Sequence, residues 1–104
     1  MNALLITFTS SASEEELKSV ASEFAEAVRD VPGLLSKAWL ADGSTSGGFY
    51  VFADRAAADA YVDGPLVANL RAYPAFSDFS IRHFAVDPEL SARTWLVVRD
   101  IAQG

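Results

Sequence analysis

The sequence predicts a single α+β domain with elements in the order β-α-β-β-α-β. Three observations carry that expectation. An alternating apolar opening runs into a capped amphipathic helix, an Asp-Gly turn joins two further alternating runs, and a second helical stretch leads into a long closing strand. The chain has 104 residues, room for one core, and 51% of them are hydrophobic, enough to fill that core and leave apolar surface for a cavity or a partner.

Residues Ala3 to Phe8 favour strand, with Leu4, Ile6 and Phe8 on one face. Ser13 followed by Glu16 forms a capping box, and Glu14 and Glu15 suit the positive end of the helix that follows. Leu17, Val20, Ala21, Phe24 and Val28 then recur at helical spacing until Pro32-Gly33 stops the helix. Leu34 to Ala41 and Gly47 to Ala53 read as two strands of a hairpin turning at Gly43-Ser44. Asp54 caps a second helix through Val62, and Pro65 opens its continuation beyond the Gly64-Pro65 break, which is either a kink or the hinge of a lid. Phe76 to Val86 is the fourth strand, and Asp87-Pro88 starts a short helix. The order is that of a ferredoxin-like βαββαβ two-layer sandwich spanning 1–104, with 94–104 as a C-terminal extension. Thr94 to Val98 has strand character, docked either on its own domain or on a partner subunit.

Composition excludes several functions. Without cysteine there is no disulfide, thiolate catalysis, iron–sulfur cluster or Cys-ligated zinc, and one histidine rules out a multi-His metal site. The net charge of −6 repels a phosphate backbone, so no nucleic-acid partner is expected. No apolar run is long enough to span a bilayer, and the opening Met1 to Ile6 reads as strand rather than signal peptide, so no membrane partner is expected either. The absence of cysteine is compatible with a cytoplasmic location.

A two-residue turn at Gly43-Ser44 places Leu35 opposite Phe52, Lys37 opposite Tyr50 and Trp39 opposite Gly48, with these side chains on one face. An aromatic face carrying one lysine is unusual for a plain core, because an unpaired buried ammonium is costly. Lys37 therefore either snorkels its amine to the sheet edge or holds an anionic oxygen of a ligand. His83 shares a strand face with Phe79, Ile81 and Ala85, where it is a core histidine or a general base. Arg82, with Asp78, Ser80 and Phe84, is expected in an ion pair. Tyr61 is a core residue or part of a pocket wall.

The segments Gly33-Leu34-Leu35-Ser36-Lys37-Ala38-Trp39, Gly47-Gly48-Phe49-Tyr50-Val51-Phe52 and Ala57-Ala58-Asp59-Ala60-Tyr61 together resemble the YdhR-like monooxygenase family of the dimeric α+β-barrel superfamily. In that family a "pGl..K.W" strand precedes a "GG.Y.F.d...A..y" strand and helix. His83-Phe84, Val86 and Glu89-Leu90-Ser91 are similar to the family's closing strand and short helix, so the resemblance spans residues 3 to 93. Ser36 departs from the aromatic residue often found before the lysine, and the extension from Thr94 has no counterpart. The resemblance implies a homodimer pairing sheet against sheet, a pocket between sheet and helices, and oxygenation without metal, flavin or nicotinamide. Some superfamily relatives instead bind or degrade haem.

The chemistry so implied is oxidation of a small hydrophobic aromatic, a phenol or naphthol that reduces oxygen directly once deprotonated. It needs a dry aromatic pocket, a base, and a cation or donor for charge on oxygen. Lys37 and His83 are the catalytic candidates, Trp39, Tyr50, Phe52 and Tyr61 the substrate-binding ones, and no cofactor is called for. The alternative is a non-catalytic protein of the same fold that binds small hydrophobic ligands, or one with a stress-related role.

Overall fold

The computed structural model describes residues 1–99. Strand β1 (Asn2–Ser10) leads to helix α1 (Glu14–Val28), then to the hairpin of β2 (Leu34–Asp42) and β3 (Thr45–Phe52). Helices α2 (Arg55–Val62) and α3 (Pro65–Ala72) follow, then β4 (Phe76–Ala85) and α4 (Pro88–Arg93). The strands form one antiparallel sheet in the order β2-β3-β1-β4, the ferredoxin-like arrangement.

Local chemistry sets the element ends. The Ser13 hydroxyl accepts from the Glu16 N–H at 3.1 Å, and Asp54 accepts from Ala57 N–H at 2.8 Å. The reciprocal half of the expected capping box is redirected, since the Glu16 carboxylate accepts the Tyr73 hydroxyl and so ties the end of α3 to the start of α1. Gly64 caps α3, and Pro65 occupies its first turn, where no N–H is needed. The break at Gly64-Pro65 thus yields two helices that both face the sheet, with Tyr61 and Val67 buried against it.

The core lies between the helices and one sheet face. Leu4, Ile6, Tyr50 and Phe52 meet Val28, Ala58, Tyr61 and Val67, while Phe8, Leu70 and Phe76 form a second cluster nearby. Two bulges tune the face. In β4 the register shifts opposite Phe8, with Asp78 in the left-handed region at φ 55°. Phe76 and Phe79 therefore both turn inward, with ring centroids 4.5 and 5.0 Å from Phe8. In β2 the register shifts at Leu35, so Leu34 rather than Leu35 lies opposite Phe52, while Lys37↔Tyr50 and Trp39↔Gly48 pair as expected. The simple two-residue period missed that bulge.

No strand forms over Thr94 to Val98, contrary to the strand character expected there. Of the two docking alternatives the chain takes the first and folds back on its own domain, where Arg99 donates its N–H to Leu35 O (3.0 Å) and its Nε–H to Leu34 O (2.7 Å). Those carbonyls sit on edge strand β2 at its bulge, where no neighbouring strand competes for them. Residues 100–104 of the extension lie outside the described residues. Arg82 also differs: its guanidinium lies 4.9 Å from the Phe84 ring centroid, with no carboxylate in ion-pair contact among the described residues.

Gly33 joins α1 to β2 at φ +82°, and a Cβ there would stand 2.5 Å from the Ala57 Cβ. Gly33→Ala should therefore combine backbone strain with a clash against α2 and cost at least about 1 kcal/mol. Urea unfolding monitored by circular dichroism checks this.

Candidate functional site

Lys37, Trp39, Gly48 and Tyr50 share the helix-facing side of the sheet because their positions alternate in register on β2 and β3. Opposite them, the apolar stripe of α1 brings Leu17, Val20, Ala21 and Phe24. Between these walls lies a cavity of about 550 Å³, floored by Ile6, Phe8 and Tyr50 and closed at its far end by Leu70 and Phe76. That volume is ordinary for a small-molecule site. Its rim carries the exposed side chains of Glu14, Glu15 and Lys18.

The Lys37 amine sits within this apolar space. Nζ lies 3.4 Å from the ring centroid of Trp39, 4.5 Å from that of Tyr50 and 4.9 Å from that of Phe24. Phe24 and Trp39 themselves meet edge to face at 6.3 Å. No carboxylate pairs with Lys37 among the described residues. Two effects act on the amine in opposite directions. Ring faces attract an ammonium, whereas removal from water favours the neutral amine. Burial dominates and pushes Lys37 from 10.5 down to about 7.

Gly48 makes this arrangement possible. A Cβ at that position would lie 2.7 Å from Lys37 Cε and 3.0 Å from Tyr50 Cε1. The missing side chain is thus the space into which the lysine stem and the tyrosine ring fold, rather than only room beside the indole.

Beneath the cavity the Tyr61 hydroxyl donates to the Tyr50 hydroxyl at 3.0 Å, in a stack completed by Phe52. Burial raises Tyr50 to about 12 and raises Tyr61 further, so both stay protonated as donors near neutrality. Of the proposed substrate contacts, Trp39 and Tyr50 line the cavity, whereas Phe52 and Tyr61 lie in the core behind it. Tyr61 reaches the site only through Tyr50.

His83 faces the same side of the sheet as Lys37, in the row Lys37–Tyr50–Leu4–His83. Three strand spacings separate the two, roughly 14 Å, and His83 is not among the residues lining the cavity. Its Nδ1 meets Asn2 Oδ1 at 3.2 Å and its Nε2 lies 3.7 Å from Asp59 Oδ1 on α2. Both ring nitrogens thus have partners away from the cavity.

The cavity lies between sheet and helices as expected, but sequence reading missed Phe24 of α1 as a wall of the lysine's surroundings. The signal was present in the helical stripe, which had to face the strand residues that alternate inward. The α2–α3 segment, considered as a lid, contributes Leu70 to the lining and otherwise packs as core.

The profile of the family described as "Putative mono-oxygenase ydhR" matches residues 3–95. The chain belongs to the YdhR family. Among solved structures, this YdhR-family chain is similar to SnoaB, a cofactor-independent oxygenase from Streptomyces nogalater. The TM-score is 0.67 at 19% identity, covering 83% of this chain and 92% of that one. It is also similar to the haem-degrader MhuD from Mycobacterium tuberculosis, solved with two haems in its active site, with a TM-score of 0.64 at 22% identity over 83% and 95% of the two chains. At such identities the likeness shows the shared fold. No curated protein sequence matches the chain.

Two outcomes follow from the geometry. Tyr61→Phe removes the buried donor to Tyr50 and should cost about 1 kcal/mol of stability in urea unfolding. Lys37 binds a proton more weakly when folded, so between pH 7 and 10.5 the unfolded chain holds the extra proton. Its contribution to stability is therefore present at high pH and lost as pH falls toward about 7. Lys37→Met should be more stable than the native protein at pH 7, with the gap narrowing by pH 9, as unfolding free energies at the two pH values will report.

Proposed function

We propose that this YdhR-family protein is a cofactor-independent monooxygenase for a small hydrophobic phenol or naphthol. The observation that carries the reading is the Lys37 amine held among Phe24, Trp39 and Tyr50 in an apolar cavity, without a carboxylate beside it among the described residues. Family membership and the resemblance to a cofactor-independent oxygenase support it.

In this scheme the neutral amine takes the proton of the bound hydroxyl, giving an aryloxide and an ammonium beside it. The aryloxide is electron-rich enough to reduce dioxygen without a cofactor. The overall change turns a naphthol and dioxygen into a naphthoquinone and water: one oxygen atom enters the ring, the other leaves as water, and the substrate supplies all four electrons. The ammonium of Lys37 holds the charge that develops on oxygen, and the apolar walls of Phe24, Trp39 and Leu17 limit the water around the aryloxide. Tyr50, backed by the Tyr61 hydroxyl, is the second donor to the substrate oxygen. The distance of His83 from the cavity favours Lys37 as the base, and the imidazole then serves to join β4 to β1 and α2.

The protein acts as a homodimer in this proposal. The sheet face away from α1–α3 leaves Leu40, Phe49 and Phe84 exposed, and α4 with Trp95 and Leu96 borders the same surface. Such a contiguous apolar face suits burial against a second sheet. Among the described residues no helix is long and apolar enough to cross a membrane.

Oxygen uptake with a panel of naphthols, together with product mass, tests the reaction. Turnover should drop by at least two orders of magnitude in Lys37→Met, the usual scale for losing a proton-transfer group, while His83→Asn stays active. No turnover on any hydroxylated aromatic, with ligands still bound, would favour the ligand-binding alternative. For the assembly, Phe84→Glu should shift sedimentation from dimer to monomer.

A further inference from the structure

Beyond acting as a base, Lys37 has the surroundings of an amine nucleophile. An amine adds to a carbonyl carbon only when neutral, held in place and shielded from competing water. Here the Trp39 ring packs against Nζ at 3.4 Å, Phe24 and Tyr50 flank it, and the adjoining space is apolar. The groups that bear on its charge are few. Glu14, Glu15 and Lys18 of α1 and Tyr50 of β3 border the main cavity, while Arg29 and Asp30 after α1 and Arg99 of the tail border the groove behind the lysine stem. Among the described residues, none of the carboxylates forms an ion pair with Nζ that would hold it as an ammonium.

We propose that Lys37 condenses reversibly with hydrophobic aldehydes or ketones that enter the cavity, giving the protein a carbonyl-capture activity at the same site. The Nζ lone pair attacks the carbonyl carbon, forming a C–N bond while the C=O π electrons move to oxygen. An amine proton passes to that oxygen to give a carbinolamine. The C–O bond then breaks, the hydroxyl leaves with the second amine proton as water, and a neutral imine remains. No oxidant or reductant takes part. In this scheme the donor to the carbonyl oxygen is the cavity residue Tyr50, whose hydroxyl accepts from Tyr61. The inference rests on the cavity reading above but not on the oxygen step.

The chain contains its own comparison, since its two lysines are Lys37 in the cavity and Lys18 at the rim. The full-length protein would be incubated with 2-naphthaldehyde and cyanoborohydride, which reduces imines to stable amines, and each site followed by peptide mass spectrometry. At pH 7 Lys37 should be alkylated at least tenfold faster than Lys18. Excess 1-naphthol should slow Lys37 alone. Lys37→Arg should lose that adduct while Lys18 and the Met1 amine still react. The initial rate of imine formation at Lys37 should level off above about pH 7.

Equal or slower alkylation of Lys37 than of Lys18 would overturn the proposal. If 1-naphthol still binds in that case, only carbonyl capture fails and the oxygenase reading stands. If 1-naphthol neither binds nor protects, the cavity reading fails with it.

Discussion

An amine packed against aromatic rings, with no carboxylate paired to it among the described residues, is the constraint on which the site depends. In water Lys37 would be an ammonium; against Trp39, Tyr50 and Phe24 it loses hydration that the ring faces only partly replace. An interior built only for stability would place an aliphatic residue there, since replacing a buried charge with apolar packing is often neutral or stabilising. Keeping a lysine thus costs stability and supplies a group that exchanges protons near neutrality. That exchange connects the packing of the site to its chemistry.

The rest of the fold can be understood as what holds this amine in place. Its strand position comes from the bulge at Leu35, which lets both Leu34 and Lys37 face the helices. The stem and the Tyr50 ring occupy the volume that Gly48 leaves vacant. Behind them the Tyr50–Tyr61 hydroxyl pair satisfies two polar groups inside an otherwise apolar stack, fixing the floor without introducing charge. At the back of β2, Arg99 binds the two carbonyls at the bulge and fastens the tail to the strand that bears the lysine. On the opposite face Leu40, Phe49 and Phe84 remain exposed.

Much of this was legible in the sequence because it depends on local rules. Asp42-Gly43 set the hairpin turn, and with it the pairing of Lys37 with Tyr50 and Trp39 with Gly48. Caps at Ser13, Asp54 and Asp87 marked helix starts that the structure reproduces. The failures share another origin. Both bulges arise from packing demands across strands, of Phe76 and Phe79 against Phe8 and of Leu34 beside Phe52, which no single strand's alternation encodes. The residues around Thr94 to Val98 have strand-forming side chains, but Thr94, Trp95 and Leu96 spend their N–H groups on the carbonyls of Ser91 and Ala92 at the end of α4, and only Arg99 bonds to the open edge of β2. His83 illustrates a subtler limit. Alternation identified its face correctly, but not its distance along the row from Lys37, because strand order is a property of the folded sheet.

The most direct test is an NMR titration of the lysine side chains, following Cε and Hε resonances with Lys18 as the internal reference. A Lys37 midpoint near 7, moving toward the ordinary 10.5 in Trp39→Ala as water enters, is the outcome expected of an uncompensated amine in an apolar cavity. A midpoint for Lys37 near 10.5 in the native protein would show a hydrated ammonium and contradict the account.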